Sequence, residues 1–490
     1  MKIVILGGSA AGMSFAAKYK RNQPTDDVIV IEKRSYLSFG ACGLPYFVGD
    51  KFPNTDRMIS RTPQQAIDSG LDVRINTEVV AVNATEQIIT VNTQGEPQDI
   101  SFDKLIIATG ARPLIPDLAT SFRVGNTERV DNTDTDIADS NNTEHVYTLT
   151  SMEDGVAVKQ AMLTVDKPRV AIIGAGFIGL EMFDAAHDLG KDVTIIEREA
   201  HIMSRQFSPE MISDVEDAIR DTGTSLLTNT QVEHIERFAS KDSGEGNSEK
   251  TSYLLTVSKT QSATNNTNEA TSHSAEPEYT TIQADIVILA LGFKPNTELF
   301  DLPKMGNGAL LVDKFGATSV PNIYAVGDCA TVHHLTLDEP VYLSLATTAN
   351  KQARMMADKL AGKETFLDGF LGSSSLKVLD YELASTGISH WMANQYAVPT
   401  STSVIKDKNQ TDYYPGQEDI KIKLAYDPES KRLLGGEIVG KKGAVARLNA
   451  LSVAITAGIT TQQLGYLDFS YAPPFARTWD ALNVAGNVAK

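Results

Sequence analysis

The sequence predicts an α/β protein with two Rossmann-like dinucleotide-binding domains and a C-terminal α+β domain. Two observations carry the first part of that expectation. A short apolar strand, a glycine-rich turn, a helix and a strand ending in an acid run from Ile3 to Glu32, and the same order recurs from Val170 to Glu197. The third observation lies near the C-terminus. Strand-like Lys421 to Tyr426 and Leu433 to Gly440 flank a turn at Asp427 to Lys431, and a helix follows from Ala444 to Gly458.

In the first unit Ile3 to Leu6 reads as a buried strand, Gly7 to Gly12 as the turn, Met13 to Lys20 as a helix and Val28 to Glu32 as the second strand. Backbone N–H groups of such a turn, with the dipole of the helix it opens, suit a pyrophosphate. Glu32 stands about 20 residues on, where an acid accepts from ribose hydroxyls. Ser9 replaces the middle glycine of the fingerprint, so this motif alone also fits a plain strand, turn and helix. In the second unit Gly174-Ala175-Gly176-Phe177-Ile178-Gly179 is the unmodified fingerprint, followed by Glu197. An acid there accepts from a free 2′-OH and repels a 2′-phosphate, which favours NADH over NADPH. The adjoining Arg198 pulls the other way. Two such units in one chain imply two dinucleotides.

A chain of 490 residues, 42% hydrophobic and 22% charged, is long enough for two or three domains. The first is expected over 1–115 and 282–360, the second over 145–281, and the C-terminal domain over 361–490. Hydrophilic insertions are expected at 117–144 and 239–278, with a shorter polar stretch from Lys406 to Glu418. Apart from Tyr253 to Val257, the two longer stretches lack the apolar residues that offset ordering entropy, so they read as surface loops.

Formal net charge is −18, which argues against nucleic acid or an anionic membrane as a partner. No apolar run approaches the roughly 20 residues that span a bilayer. The apolar run at Ile3 to Leu6 is too short for a secretion signal, so a cytoplasmic protein is expected. Two cysteines in such a chain indicate a reducing compartment. No His, Cys and Asp cluster has metal-ligand spacing, and His333 and His334 read as structural.

Cys42 lies in Ser38-Phe39-Gly40-Ala41-Cys42-Gly43-Leu44-Pro45-Tyr46, a glycine-flanked turn just after the first unit. It suggests a thiol working beside a flavin. Where a disulfide reductase carries a second cysteine, this chain has Phe47. A redox cycle on one sulfur permits a mixed disulfide with a small thiol or a sulfenic acid, and no internal disulfide. Cys329 reads as a small buried residue.

Leu105-Ile106-Ile107-Ala108-Thr109-Gly110-Ala111 and the segment from Thr318 to Asp328 resemble the two FAD signatures of the pyridine nucleotide-disulfide oxidoreductases. With the glycine motifs and the lone cysteine in that family's order, the chain looks like its single-cysteine branch. That branch holds NADH oxidases, NADH peroxidases and coenzyme A-disulfide reductases. The resemblance implies FAD in the first unit, NADH or NADPH in the second, and a homodimer built on the C-terminal domain. It places cofactor contacts at Gly7, Ser9, Ala11, Gly12, Glu32, Lys33, Ala108, Thr109, Gly110, Asp328 and Ala346. For the nicotinamide nucleotide it points to Gly174, Gly176, Phe177, Ile178, Gly179, Glu197 and Gly292, with Glu181 matching a family glutamate near the nicotinamide.

Peroxidases and many oxidases of the branch carry a histidine in the first glycine loop, where this chain has Ala10. The C-terminal segment Leu467 to Phe475 offers no histidine either. Tyr471 in Tyr-Ala-Pro-Pro, with Trp479 downstream, looks like the coenzyme A-disulfide reductases, in which two tyrosines reach the partner subunit's site. The second matches Tyr413 or its neighbour Tyr414. Family positions that contact coenzyme A correspond to Ser14, Lys18, Arg21, Ser38, Asn350 and Trp479, and Lys20, Arg57 and Arg61 add local positive charge. One departure is Ala41, where well-studied members have asparagine; relatives with Gly-Ala-Cys-Gly-Leu-Pro-Tyr include NADH oxidases, often with an added rhodanese domain that is not expected here. The expected reaction passes hydride from NAD(P)H through FAD to Cys42, which reduces coenzyme A disulfide or a CoA mixed disulfide or persulfide. The alternatives are an oxidase or peroxidase cycling Cys42 through sulfenic acid, and a redox sensor.

Overall fold

A computed structural model describes residues 1–93, 95–116, 118, 145–165, 167–241, 249–260, 278–366 and 368–490. The Val- and Ile-rich stretches of the first unit form a parallel sheet in the order Ile323–Ala325, Lys104–Ile107, Lys2–Leu6, Asp27–Ile31, Asp72–Arg74. Ile3 pairs with both Val28 and Lys104, so Lys2–Leu6 lies at the centre. Its alternating side chains serve two cores, as a sheet covered on both faces requires. Ile3 and Ile5 pack with Phe15, Tyr19 and Met356 from helices Ala10–Asn22 and Ala346–Leu360. Val4 and Leu6 pack with Ile89, Val91 and Ile100 from an antiparallel sheet of Thr77–Asn83, Ile88–Thr93 and Glu96–Ser101.

The second unit repeats this plan. Its parallel sheet runs Ser225–Leu227, Asp192–Ile196, Arg169–Ile173, Ile286–Leu289, Val146–Tyr147. One face meets helices Met152–Thr164, Phe177–Asp188 and Pro209–Asp221. The other meets an antiparallel sheet of Thr230–Lys241, Glu249–Lys259 and Tyr279–Ala284.

Two expectations change here. Ile286–Leu289 pairs with Arg169–Ile173, Val170 against Ile286, so the second unit runs past residue 281. Within 239–278 the segment Tyr253 to Val257, strand-like in sequence, is the middle of a longer strand, Glu249–Lys259, which pairs on both sides and buries Tyr253, Leu255 and Val257, so the loop expectation fails on its flanks. The expected insertion at 117–144 lies outside the described residues apart from Leu118.

The C-terminal domain is an antiparallel sheet ordered Ser374–Val378, Tyr381–Gly387, Leu433–Gly440, Asp419–Tyr426, Ser401–Lys408. The expected hairpin is its centre, with Ile422 opposite Ile438. Helix Ala444–Thr456 packs on it through Leu448 and Leu451. Left-handed Gly458, at φ +69°, ends that helix by returning its N–H to Ile455 and passing the next N–H, from Ile459, to Ala454. No helix among the described residues is long and apolar enough to cross a membrane.

Asp285 ties the layers of the second unit together. Its buried carboxylate accepts from the Arg169 backbone N–H at 3.0 Å, from the Arg169 guanidinium at 2.9 and 3.1 Å, and from the Ser252 hydroxyl at 2.9 Å. These bonds outweigh burial and hold its carboxyl well below the usual carboxylate range. Asp285→Asn is expected to cost about 1–3 kcal/mol in urea unfolding of this unit, the cost of leaving charge-assisted donors poorly paired. Because the native pKa is depressed, the wild-type advantage is full above the unfolded value near 3.9 and shrinks as pH falls below it. An advantage unchanged from pH 7 to pH 3 would contradict this assignment.

Candidate active site

Both glycine turns are forced by backbone contact. A Cβ on Gly12 would lie 1.9 Å from the Gly7 carbonyl oxygen, and one on Gly179 would lie 1.9 Å from that of Gly174. A Cβ on Gly7 (φ +106°) would lie 2.2 Å from the Ala108 oxygen, and one on Gly174 (φ +101°) 2.5 Å from the Ala290 oxygen, at the end of the next strand. The middle position differs. A Cβ on Gly176 would meet nothing within 4 Å, and Ser9 at φ −94° has ordinary backbone, so the fold itself does not demand glycine there. The space kept open at Gly176 suits a pyrophosphate approaching the backbone.

The two acids match as well. Glu32 accepts from the backbone N–H of Gly8 at 2.8 Å and of Arg34 at 2.9 Å. Glu197 accepts from the corresponding N–H of Ala175 at 2.7 Å and of Glu199 at 2.8 Å. Each carboxylate keeps lone pairs for hydroxyl donors. Arg198 is turned to Glu199 at 3.0 Å.

A cleft of about 1520 Å³ runs from the first glycine turn to the C-terminal domain. That is room for a ligand larger than most drug-sized molecules. Gly7, Ser9, Ala11, Glu32, Lys33, Ala108, Thr109, Gly110, Asp328 and Ala346 line it, as do Phe177, Ile178 and Glu181 from the second unit. Gly12 lies beneath the turn, while Gly174, Gly176, Gly179, Glu197 and Gly292 belong to the second unit's own nucleotide face, outside this lining. The two nucleotide faces therefore meet at Phe177 to Glu181. Asp328 fits a bound polyol: its carboxyl, pushed up to about 6 by burial, has no cation at ion-pair distance among the described residues.

Cys42 stands on the cleft wall. The turn before it is fastened to the first glycine loop, since Ser38, at φ +49°, donates its N–H to the Gly8 oxygen while Ser9 Oγ donates to the Phe39 oxygen. Ala41–Gly43 then begins a helical run that continues through Leu44–Val48. The residue is exposed to the cleft, yet the atoms crowded around it and the nearby acids Glu181 and Asp328 push its thiol pKa up. Cys329 is fully buried, its sulfur turned to the Ile107 and Val326 carbonyls.

Tyr46 is a partner that sequence reading did not single out. Four residues after Cys42, it donates its hydroxyl to Glu181 Oε1 at 3.2 Å. Burial pushes the Glu181 carboxyl up to about 7, against the lowering effect of that bond. The i, i+4 spacing from the cysteine was the available signal, because such residues share a helix face. Among the described residues no histidine lines the cleft, and no group of acidic, Cys and His side chains has metal-binding geometry.

The residues expected to contact coenzyme A divide between two surfaces. Ser14, Arg21, Ser38 and Asn350 line the cleft, and the Ser14 hydroxyl bonds to Asn350 Oδ1. Lys18 is outside the lining, paired with Asp358 at 3.2 Å. Tyr413, Tyr471 and Trp479 are not among the residues that line this chain's own cleft. The Tyr413 and Tyr471 hydroxyls lie 2.8 Å apart, both side chains exposed, and Trp479 packs edge-on against Tyr466 at 6.2 Å between ring centroids. The segment from Lys406 to Glu418 that carries Tyr413 is no loose loop: strand Ser401–Lys408 takes its start, and Asn409, Gln410 and Thr411 are buried.

Comparison with known proteins agrees with this layout. Residues 1–353 match the pyridine nucleotide-disulphide oxidoreductase domain, and residues 373–482 match the dimerisation domain of the same family. The NAD(P)H coenzyme A polysulfide/persulfide reductase of Pyrococcus horikoshii is 31% identical, covering 100% of this chain and 98% of that protein. The CoA-dependent NAD(P)H sulfur oxidoreductase of Pyrococcus furiosus is 33% identical, with 100% and 99% covered. Among solved structures, the water-forming NADH oxidase of Lactobacillus brevis superposes with a TM-score of 0.83 at 26% identity, covering 100% of this chain and 98% of the other. Members of the family bind FAD and NAD(P)H, which the two glycine turns, their acids and the cleft accommodate. On the match of its first 353 residues and of its C-terminal domain, the chain belongs to the pyridine nucleotide-disulphide oxidoreductase family.

Proposed function

We propose that this oxidoreductase uses NAD(P)H and FAD to reduce coenzyme A disulfide, or a CoA mixed disulfide or persulfide, through Cys42. The observation that carries this reading is the exposed Cys42 thiol on the cleft wall, with the other cysteine, Cys329, sealed in the core. A dithiol mechanism within the chain has no second sulfur, so the partner sulfur comes with the substrate. The Pyrococcus relatives, named for CoA-dependent sulfur and persulfide reduction, support the choice of thiol. So does the charge at the cleft: Arg21, Arg61, Lys351 and Arg354 line it in a chain of net charge −18, which suits a polyanionic substrate.

The thiolate of Cys42 attacks one sulfur of the disulfide, the substrate S–S bond breaks, and one CoA thiolate leaves. Nicotinamide and flavin supply the hydride and the electron pair when bound. Two electrons then release the second CoA thiolate from the Cys42 mixed disulfide, returning Cys42 to thiolate; one NAD(P)H and one proton yield two CoA thiols. Tyr413 and Tyr471, absent from the lining of their own chain's cleft, serve the partner subunit's site in a homodimer. There a phenol hydroxyl protonates or hydrogen-bonds the departing CoA thiolate. Ser14, Arg21, Ser38, Asn350 and the partner's copy of the Trp479 segment hold the CoA moiety, and Lys18 contributes once released from Asp358. The domain limits are 1–115 with the segment after Leu289 up to 360 for FAD, 145 to Leu289 for the nicotinamide nucleotide, and 361–490 for dimerisation.

A second reading, an NADH oxidase working through a Cys42 sulfenic acid, draws on the similarity to the Lactobacillus brevis oxidase. The lack of a histidine among the described residues of the cleft disfavours it, since peroxide cleavage gains from a nearby acid.

Cys42→Ser is expected to keep NADH-dependent flavin bleaching within about twofold and to lose CoA disulfide turnover by about a thousandfold or more, as removal of a nucleophile does. Disulfide turnover that survives the substitution, or wild-type O₂ uptake faster than disulfide turnover, would overturn the proposal. Glu197→Ala should narrow the preference for NADH over NADPH by about tenfold, having lost both a 2′-OH acceptor and a repulsive charge. An unchanged ratio of kcat/KM values would remove Glu197 from nucleotide selection.

A further inference from the structure

Tyr413 and Tyr471 are 58 residues apart in sequence, yet their hydroxyls meet at 2.8 Å on the protein surface. Contact between two exposed phenols is too weak to fix two loops. The order must come from beneath. Tyr413 sits between strands Ser401–Lys408 and Asp419–Tyr426, and Tyr471 in the segment before the final helix, Ala481–Val488. Both segments converge on one buried side chain, Arg447 of helix Ala444–Thr456.

We propose that Arg447 is the positioning residue that sets the Tyr413–Tyr471 pair for disulfide reduction. Its Nη2 donates to the Asn409 carbonyl at 2.9 Å, at the start of the Tyr413 segment, and to the Phe475 carbonyl at 3.2 Å, four residues past Tyr471. Nε and Nη2 also donate to Asp480 at 2.8 to 3.1 Å, and Asp480 in turn caps helix Ala481–Val488 by accepting from the Leu482 N–H. The pair is only 10% exposed on each side. With the Gly443 carbonyl, which accepts from Nη1 at 3.3 Å, the planar guanidinium spans four acceptor groups in one geometry; an ammonium does not.

Each segment is further closed on itself. Asn409 and Glu418 exchange hydrogen bonds across the base of the first, and Gln410 holds the Tyr414 and Pro415 carbonyls at 3.1 and 3.0 Å. Two direct straps join them, from the Thr411 hydroxyl to the Pro473 carbonyl at 3.1 Å and from the Arg477 guanidinium to Asp407 at 2.6 Å. A rigid loop on each side of one fork fixes the distance between their tips. Arg447 thus acts through the tyrosines and touches no substrate. This inference rests on the role proposed above for the tyrosine pair.

The test compares Tyr413→Phe, Arg447→Lys and the double variant as dimeric, FAD-loaded full-length protein. Arg447→Lys should slow CoA disulfide reduction by about tenfold or more, within the range for a misplaced proton donor, while NADH-dependent flavin reduction stays within about twofold. The double variant should be no slower than the slower single one, because both substitutions disable the same device. Multiplying effects, or equal slowing of both half-reactions, would overturn the positioning role. If Arg447→Lys does not yield folded dimer, Thr411→Val carries the same comparison without disturbing a buried charge. A Tyr413→Phe variant at wild-type rate would instead sink the reading of the tyrosines. Alkaline ultraviolet titration then still decides the role of Arg447: loss of the upward shift that the Tyr413 bond imposes on Tyr471 supports it, and an unchanged titration refutes it.

Discussion

Gly12 lies so close to Gly7 that a single methyl group there would sit 1.9 Å from a carbonyl oxygen, and Gly179 stands in the same relation to Gly174. That contact brings the start of a helix against the end of a parallel strand, so the helix's unpaired N–H groups open at the sheet's carboxyl edge. Everything at the site is hung from it. The Gly8 carbonyl anchors Ser38 and hence the cysteine turn; the second turn projects Phe177, Ile178 and Glu181 into the same cleft. Two copies of one backbone device thus bring two nucleotide faces and one thiol to a single place.

What that place does follows from what it lacks. Among the described residues the cleft offers one exposed cysteine sulfur, two carboxyls raised by burial and no histidine. A sulfur whose thiol is pushed up in pKa by burial, and further by the nearby acids, needs positive charge or a bound electron-poor ring to work as a thiolate. The chain provides arginines and lysines along the cleft, sets the Tyr46 phenol on Glu181, and pairs two further phenols on a surface built by the C-terminal domain. The aromatic pair lies within residues 373–482, the stretch that matches the family's dimerisation domain.

Local motifs were readable from the sequence because their causes are local. The glycine turns, the acid at the end of each second strand and the C-terminal hairpin depend on residues within about 30 positions of one another, and all three appear as expected. Features set by distant pairing were not. Ile286–Leu289 joins the second sheet by pairing with a strand more than a hundred residues earlier, and no composition change marks the boundary. The polar run beginning at Asn409 looks like a solvated loop until Arg447, Lys442 and the Pro473 carbonyl are seen to satisfy its buried groups. Lys18 has the right charge for an anionic ligand, but Asp358 on another helix already occupies it. Tyr46 escaped notice because its partner, Glu181, lies 135 residues away.

The central claim is that Cys42 is half of a disulfide whose other half arrives as coenzyme A. Intact-mass spectrometry of the protein purified without reductant tests it most directly. One CoA per chain, released by dithiothreitol and absent from Cys42→Ser, is the predicted result. An unmodified Cys42, or one carrying only oxygen, would contradict the account.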